Sequence, residues 1–258
     1  MRLMKRILSA AAVLALSASL LVGCSSGTAS SVPVSASSAA ESTVSSVEET
    51  ASSAVDENEA AAAQLLNDLT GSYQELWPVI LADEYKQTWL DDCTALVGED
   101  NAEAAFEKLS SMVTGDVYGE DAVKAYANGG GAYFCGFTND LATLTFDGET
   151  STISGTDKDG NELFSHPYHY IGMEPVRGLY EFESDDADSG EFTYFFLAPD
   201  TSAETYHIEF RYGSDADALS QYDAGDYAYW VASGISTDCD QTMIDNCIEL
   251  FCTENLAG

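Results

Sequence analysis

The hydrophobic positions between residues 65 and 112 follow the period of helices. Apolar side chains recur at steps of three and four residues, which places them on one face of a helix. They are Leu65, Leu66, Leu69, Tyr73, Leu76 and Trp77. Pro78 is expected to kink or end this helix, unless the chain restarts there, because proline lacks an amide hydrogen. Two further helices are predicted at residues 85–96 and 102–112, and all three are expected to be packing elements.

After residue 131 the pattern changes to that of strands. Alternating or β-rich segments are separated by Ser, Asp and Gly, and residues 157–160 carry a hairpin turn signal. The segments are 141–146, 150–155, 163–171, 176–183, 191–197 and 205–212. Six or more short antiparallel strands in succession favour a closed barrel. A closing helix is predicted at residues 236–256, so the expected fold is mainly β with helices before and after the barrel.

The first 24 residues have the layout of an export signal. Arg2, Lys5 and Arg6 precede an apolar run over residues 7–22. This run is about 24 Å long as a helix, shorter than the roughly 30 Å that a membrane-spanning helix must cover. It ends in Leu-Val-Gly-Cys24, which resembles the lipobox of bacterial lipoproteins. The resemblance implies cleavage before Cys24 and lipidation of its thiol; the alternative is an ordinary signal peptide with a cysteine near the cut.

Residues 24–58 form a Ser/Ala-rich segment that is expected to be a disordered tether. Twelve serines and no aromatic residue lie between positions 25 and 55, so this segment cannot bury enough apolar surface to offset its ordering entropy. The predicted organisation is a signal peptide at 1–23, the tether at 24–58 and one folded domain at 59–258. The protein is expected to be extracytoplasmic and anchored by lipid to the bacterial cell membrane.

The chain is strongly acidic. Its formal charge is −35, and the segment 1–23 holds three of the nine basic residues and none of the 44 acidic ones. Such a field repels nucleic acid and attracts cations without defining a particular site. Five cysteines follow Cys24 and lack the C-x-x-C spacing of zinc or redox motifs. They are Cys93, Cys135, Cys239, Cys247 and Cys252. An exported protein permits disulfides, and an odd count leaves at least one cysteine unpaired.

Candidate chemistry is limited to a few histidines. The sequence contains no nucleophile elbow, P-loop, H-E-x-x-H or dinucleotide motif, so the protein is predicted not to be an enzyme. The three histidines are His166, His169 and His207. His207 and Glu209 are two residues apart on a predicted strand, so they share one face and can bind the same ion. His166 and His169 would face opposite sides unless Pro167 bends the strand.

Two parts of the sequence resemble a known family. The stretch 69–81 contains Gly71, Tyr73, Trp77 and Pro78, and the stretch 168–230 contains Val-Arg-Gly-Leu-Tyr-Glu-Phe-Glu and an Ala-Pro pair. Together they are similar to the ZinT (YodA) family of exported zinc-binding proteins. The resemblance implies a lipocalin-like (calycin) barrel and zinc capture outside the cytoplasm. It also implies a metal ABC transporter as a partner, because the same domain extends some zinc-transporter binding proteins.

The family's zinc ligands are only partly present. One histidine position of the family is Phe195 here, and the family's His-x-His pair becomes either His207 with Glu209 or Thr205 with His207. Two hypotheses follow. In the first, the domain binds zinc or another divalent cation through His207 and Glu209, with His169 from a neighbouring strand. In the second, a lipocalin-like module has lost the zinc site, and Phe195 makes the mouth of a cavity apolar and suited to a small ligand or a protein partner.

Overall fold

The computed structural model describes residues 57–127, 131–198 and 207–257. The predicted signal peptide, Cys24 and the tether up to residue 56 lie outside these residues. Residues 57 and 58, assigned above to the end of the tether, belong to helix α1, which is described over residues 57–68. Within the described ranges, no helix is long and apolar enough to cross a membrane.

Four more helices precede most of the barrel. They are α2 (Leu76–Ile80), α3 (Lys86–Val97), α4 (Glu99–Val113) and α5 (Glu120–Ala125), with a short 3-10 helix at Asp83–Tyr85. The helical periodicity over residues 65–77 was misleading in one respect, because strand β1 (Gly71–Glu75) separates α1 from α2. Gly71 has a φ of 144°, which favours glycine and ends the helical path. Pro78 lies in the first turn of α2, where its missing amide hydrogen breaks no helical bond.

The eight strands form a closed antiparallel barrel in sequence order. After β1 come β2 (Thr143–Asp147), β3 (Thr152–Thr156), β4 (Glu162–Met173), β5 (Tyr180–Ser184), β6 (Tyr194–Leu197), β7 (His207–Gly213) and β8 (Ala232–Ser236). Strand β8 pairs with β1 and closes the barrel. The predicted barrel with flanking helices is therefore confirmed. The segment 191–197 is only partly strand, because Gly190–Phe192 is a 3-10 helix.

Aromatic side chains fill the interior of the barrel. Phe195 is fully buried, and its ring lies 5.3 Å from that of Tyr212 and 5.4 Å from that of Tyr168. Phe182 and Phe210 are also at most 1% exposed and belong to the same core. Each such ring removes a large apolar area from water, so this layer holds the strands together.

A second core lies between the outer wall of the barrel and the helices. It contains Trp77, Trp89 and Leu109 from the N-terminal helices and Ile235 from β8, together with the final helix. That helix, α7 (Gln241–Leu256), is capped by Asp240, whose side chain accepts a hydrogen bond from the Met243 amide. A short helix, α6 (Ala216–Leu219), follows β7. The outer wall next to α2 and α7 is thus protein-covered, and it is where the candidate site lies.

Candidate functional site

Strand β7 presents different chemistry on its two sides. Ile208, Phe210 and Tyr212 belong to the core that fills the barrel. Because side chains alternate along a strand, His207 and Glu209 lie on the outer side. His207 is paired with Ile235 of β8, and Ile235 packs in the second core, outside the barrel. The two candidate ligands therefore share one face, and that face points toward the helices.

His207 and Glu209 line one small pocket where β7, α2 and α7 meet. The pocket has a volume of about 30 Å³. Helix α7 contributes Cys247 and Glu254 to the same lining, and the remaining wall is apolar. An imidazole, a thiol and two carboxylates are the ligand types that zinc takes in proteins. The structure therefore adds two potential donors that the sequence did not single out, because they lie some 40 residues further along the chain.

These donors do not yet surround one point. Among the described residues, no three His, Cys, Asp or Glu side chains are grouped so as to hold a metal ion. A pocket of about 30 Å³ still exceeds the roughly 10–15 Å³ that one water molecule occupies. Binding of an ion between β7 and α7 therefore requires these side chains to move closer together.

His169 lies elsewhere on the barrel. It is on β4, which is separated from β7 by β5 and β6. Its side chain is 52% exposed, and its Nδ1 is 2.7 Å from Oδ1 of Asp185. His166 forms a similar pair with Asp186 at 2.8 Å. The structure thus brings His207 and Glu209 together but places His169 outside their pocket, and the role of these residues as ligands stays a prediction.

Phe195 and the His207–Glu209 pair lie on opposite sides of the barrel wall. Phe195 is paired with Tyr212 of β7, and both point inward. The sequence expectation that Phe195 makes the mouth of a cavity apolar is wrong, because its side chain is fully buried among aromatic rings. Thr205, the other possible member of a ligand pair, lies outside the described residues.

A larger cavity lies outside the barrel, next to α2. Its volume is about 330 Å³. It is lined by Glu75, Trp77, Pro78, Leu81, Val113, Thr114, Gly115, Phe134, Cys135 and Gly136. A cavity of about 150 Å³ shares Trp77, Val113 and Cys135 with it and also includes Arg177 and Glu209. Trp77 lines both cavities and the pocket of His207, although its sequence pattern indicated only a packing role.

Polar groups around these cavities are few and strongly influenced by burial. Burial, together with the nearby Glu209 carboxylate, raises the pKa of the Cys135 thiol to about 12. The buried Nε1 of Trp77 has no hydrogen-bond partner apart from the Cys135 sulfur next to it, which is a weak acceptor. The Arg177 guanidinium lies 4.0 Å from the ring centroid of Tyr222. Its Nη2 donates a hydrogen bond to the hydroxyl of Tyr133 at 3.1 Å.

No family model matches the chain, and no curated protein matches it. The Zn(II)-bound ZinT-like domain of Streptococcus pneumoniae AdcA is similar in structure, with 16% sequence identity and a TM-score of 0.45. The match covers 71% of this chain and 89% of that domain. Zn(II)-bound AdcA from the same organism is similar at 15% identity with a TM-score of 0.41, over 72% of this chain. The match spans 35% of AdcA.

Proposed function

We propose that this protein is an exported, lipid-anchored binding protein whose cargo is zinc or another divalent cation. The observation that carries the proposal is the pocket in which His207 and Glu209 of β7 face Cys247 and Glu254 of α7. Nitrogen, sulfur and oxygen donors in one pocket suit zinc, and carboxylates widen the choice to harder ions. The predicted lipid at Cys24 and the serine-rich tether would hold this pocket outside the cell membrane, within reach of a metal transporter.

One ion would take its third protein ligand from a single position on α7. Cys247 and Glu254 are seven residues apart, which is about 10.5 Å along a helix. Zinc ligands lie about 2.0–2.3 Å from the ion, and we expect an ion held by His207 and Glu209 to bind one of these two side chains. His169 is not part of this site, because two strands separate β4 from β7. Binding of cargo, and not catalysis, is the role that this arrangement supports.

The net charge of the chain assists capture. A formal charge of −35 raises the local concentration of cations around the protein and speeds their encounter with any site. This field does not select among cations. Selection would come from the imidazole of His207 and the donor on α7, which favour zinc over calcium or magnesium.

The test is a calorimetric titration of the chelator-treated protein, processed at Cys24, with zinc chloride. We expect one saturable site at micromolar zinc, and a His207→Ala variant that binds at least about 10-fold more weakly, because losing a ligand should cost at least as much as losing a residue that orients one. His169→Ala is the matched control and should bind like the parent. Comparison of Cys247→Ser with Glu254→Gln identifies the ligand on α7.

Two outcomes would overturn the zinc proposal. The first is the absence of saturable binding at micromolar zinc. The second is a site that is unaffected by His207→Ala but weakened by His169→Ala, which would place the ion at the His169–Asp185 pair on the exposed face of β4.

A second candidate function is the binding of a small organic molecule in the 330 Å³ cavity next to α2. Its volume lies at the lower end of the range of ligand pockets, and its walls are mainly apolar. The adjoining smaller cavity offers the guanidinium of Arg177. An apolar molecule that carries one acidic group would suit both features.

This candidate is tested with the fluorescent anion 1-anilinonaphthalene-8-sulfonate. Val113→Trp should abolish its binding, because Val113 lines both cavities. Ile171→Trp places the same ring at a position on β4 that is 41% exposed and should leave binding unchanged. Equal loss in both variants, or no loss in either, would reject the cavity as the binding site.

A further inference from the structure

Two cysteines from distant parts of the chain are in contact inside the second core. Cys93 of α3 and Cys252 of α7 are both fully buried, and their sulfur atoms are 3.9 Å apart. A disulfide bond has a length of about 2.05 Å. The two sulfurs therefore need to approach by about 1.9 Å, which is within the reach of small rotations about the side-chain bonds of two cysteines that already face each other.

The remaining cysteines are placed less favourably. Cys247 lies on α7 five residues before Cys252 and lines the pocket of His207. The Cys135 sulfur lies 3.9 Å from the carbonyl oxygen of Tyr133. Cys239 is half-buried in the connection between β8 and α7. Cys93 and Cys252, by contrast, have their sulfur atoms in contact between α3 and α7.

The environment of the pair decides when it can react. Both side chains are fully buried, so an oxidant in solution cannot reach either sulfur atom once the core has formed. The folded core therefore protects both groups from oxidation. A bond between them therefore has to form while α7 is still undocked, before the second core closes.

We propose that Cys93 and Cys252 form a disulfide bond during folding of the exported protein, which locks α7 onto α3. This inference rests on the export that is part of the proposed function, and not on zinc binding. The oxidant is a protein or small-molecule disulfide of the extracytoplasmic space. One cysteine thiolate attacks a sulfur of the oxidant and forms a mixed disulfide. The second thiolate then attacks the first cysteine's sulfur, releasing the reduced oxidant.

The step is balanced in atoms and electrons. One sulfur–sulfur bond forms in the protein, and one is lost in the oxidant. Two electrons pass from the cysteine pair to the oxidant, whose two thiolates take up the two protons that the cysteines release. The product carries no ionisable proton, so the core no longer holds two buried thiols.

The bond would have a large effect on stability, because it joins residues 159 positions apart. A cross-link of this span removes much of the conformational freedom of the unfolded chain. For a folded domain of about 200 residues, we expect the reduced protein to melt roughly 10 °C below the oxidised one. Helix α7 also carries Cys247 and Glu254, so the bond would hold one wall of the cation pocket in place.

The pairing is tested by refolding the fully reduced protein in a buffer of reduced and oxidised glutathione. Free thiols are then alkylated under denaturing, non-reducing conditions, and the peptides are identified by mass. We expect the peptides of Cys93 and Cys252 to be linked, with a mass lower by two hydrogens. Cys135, Cys239 and Cys247 should be alkylated. Alkylation of all five cysteines, or any other linkage, would overturn the proposal.

Two variants show whether a change in melting temperature comes from the disulfide bond or from altered packing of the core. In Cys93→Ser, a reductant should no longer change the melting temperature, whereas Cys239→Ser should retain the full drop of roughly 10 °C. A reductant effect that persists in Cys93→Ser would overturn the pairing. The same peptide mapping on protein recovered from the cell envelope tests the export step by itself. Zinc titrations give an independent readout, so failure of the cation site would not be confused with failure of the disulfide.

Discussion

Phe195 and Tyr212 face each other across strands β6 and β7, with their ring centroids 5.3 Å apart inside the barrel. This pairing fixes the register of β7, and a one-residue shift of register would exchange its two faces. It therefore also decides that His207 and Glu209 point outward to α2 and α7. An aromatic contact in the core thus determines where the candidate ligands lie.

The aromatic layer is expected to dominate the stability of the barrel. Phe195→Ala should lower the free energy of unfolding by about 3–5 kcal/mol, because it removes a fully buried ring and leaves a cavity. Urea unfolding followed by circular dichroism measures this change. Leu163→Ala, at a position on β4 that is 37% exposed, should cost less than about 0.5 kcal/mol. Similar losses in both variants would contradict the assignment of Phe195 to the core.

Histidines added on either side of the barrel wall test which side binds zinc. Phe195→His should leave zinc affinity unchanged, because its imidazole would point into the barrel, away from His207. Glu254→His should raise zinc affinity, because an imidazole would then join the pocket between β7 and α7. Calorimetry compares the two variants. The opposite ranking would mean that the zinc site lies inside the barrel.

Two buried tryptophans differ in their hydrogen bonding and should respond differently to the same substitution. Trp89 donates its Nε1 hydrogen to the carbonyl oxygen of Ile80 at 2.7 Å, whereas Trp77 has no such acceptor. Trp89→Phe leaves the Ile80 carbonyl buried and unsatisfied, so its cost should exceed that of Trp77→Phe by about 1–3 kcal/mol. The free energies of unfolding in urea give the difference. Equal costs would show that the Trp77 N–H is satisfied in solution.

The buried thiol of Cys135 predicts a loss of stability in alkaline solution. Its pKa rises from 9.0 to about 12 on folding, mainly because of burial. A raised pKa in the folded state means that this contribution is fully present below pH 9 and is lost as the pH rises toward 12. The slope of unfolding free energy against pH should become shallower by up to about 1.4 kcal/mol per pH unit in Cys135→Ala. An unchanged slope between pH 9 and 12 would show that this thiol titrates normally.

Much of the fold could be predicted from local pattern, and the exceptions have physical causes. The barrel strands with alternating bulky residues, such as Phe210 and Tyr212, carry a strong signal. Strand β1 was missed because Tyr73 fits the helical period as well as the strand period. Strand β8 was missed because Ala-Ser-Gly-Ile-Ser contains only one large apolar side chain, and its assignment depends on pairing with β1 and β7.

Part of the candidate site follows from the local sequence pattern, and part depends on the tertiary structure. A period of two correctly predicts that His207 and Glu209 share a face. It cannot say which face is the outer one, because that depends on the pairing of Phe195 with Tyr212. The distance of His169 from this pocket and the approach of Cys247 and Glu254 depend on strand order and on the docking of α7. None of these follows from spacing along the chain.

Anomalous diffraction at the zinc absorption edge would locate a divalent cation bound between β7 and α7. Crystals of the chelator-treated protein, soaked in micromolar zinc, should show one strong peak about 2.0–2.2 Å from an imidazole nitrogen of His207 and a carboxylate oxygen of Glu209. A strong peak inside the barrel beside Phe195, a peak at the His169–Asp185 pair, or no peak at all would rule out a cation site between β7 and α7.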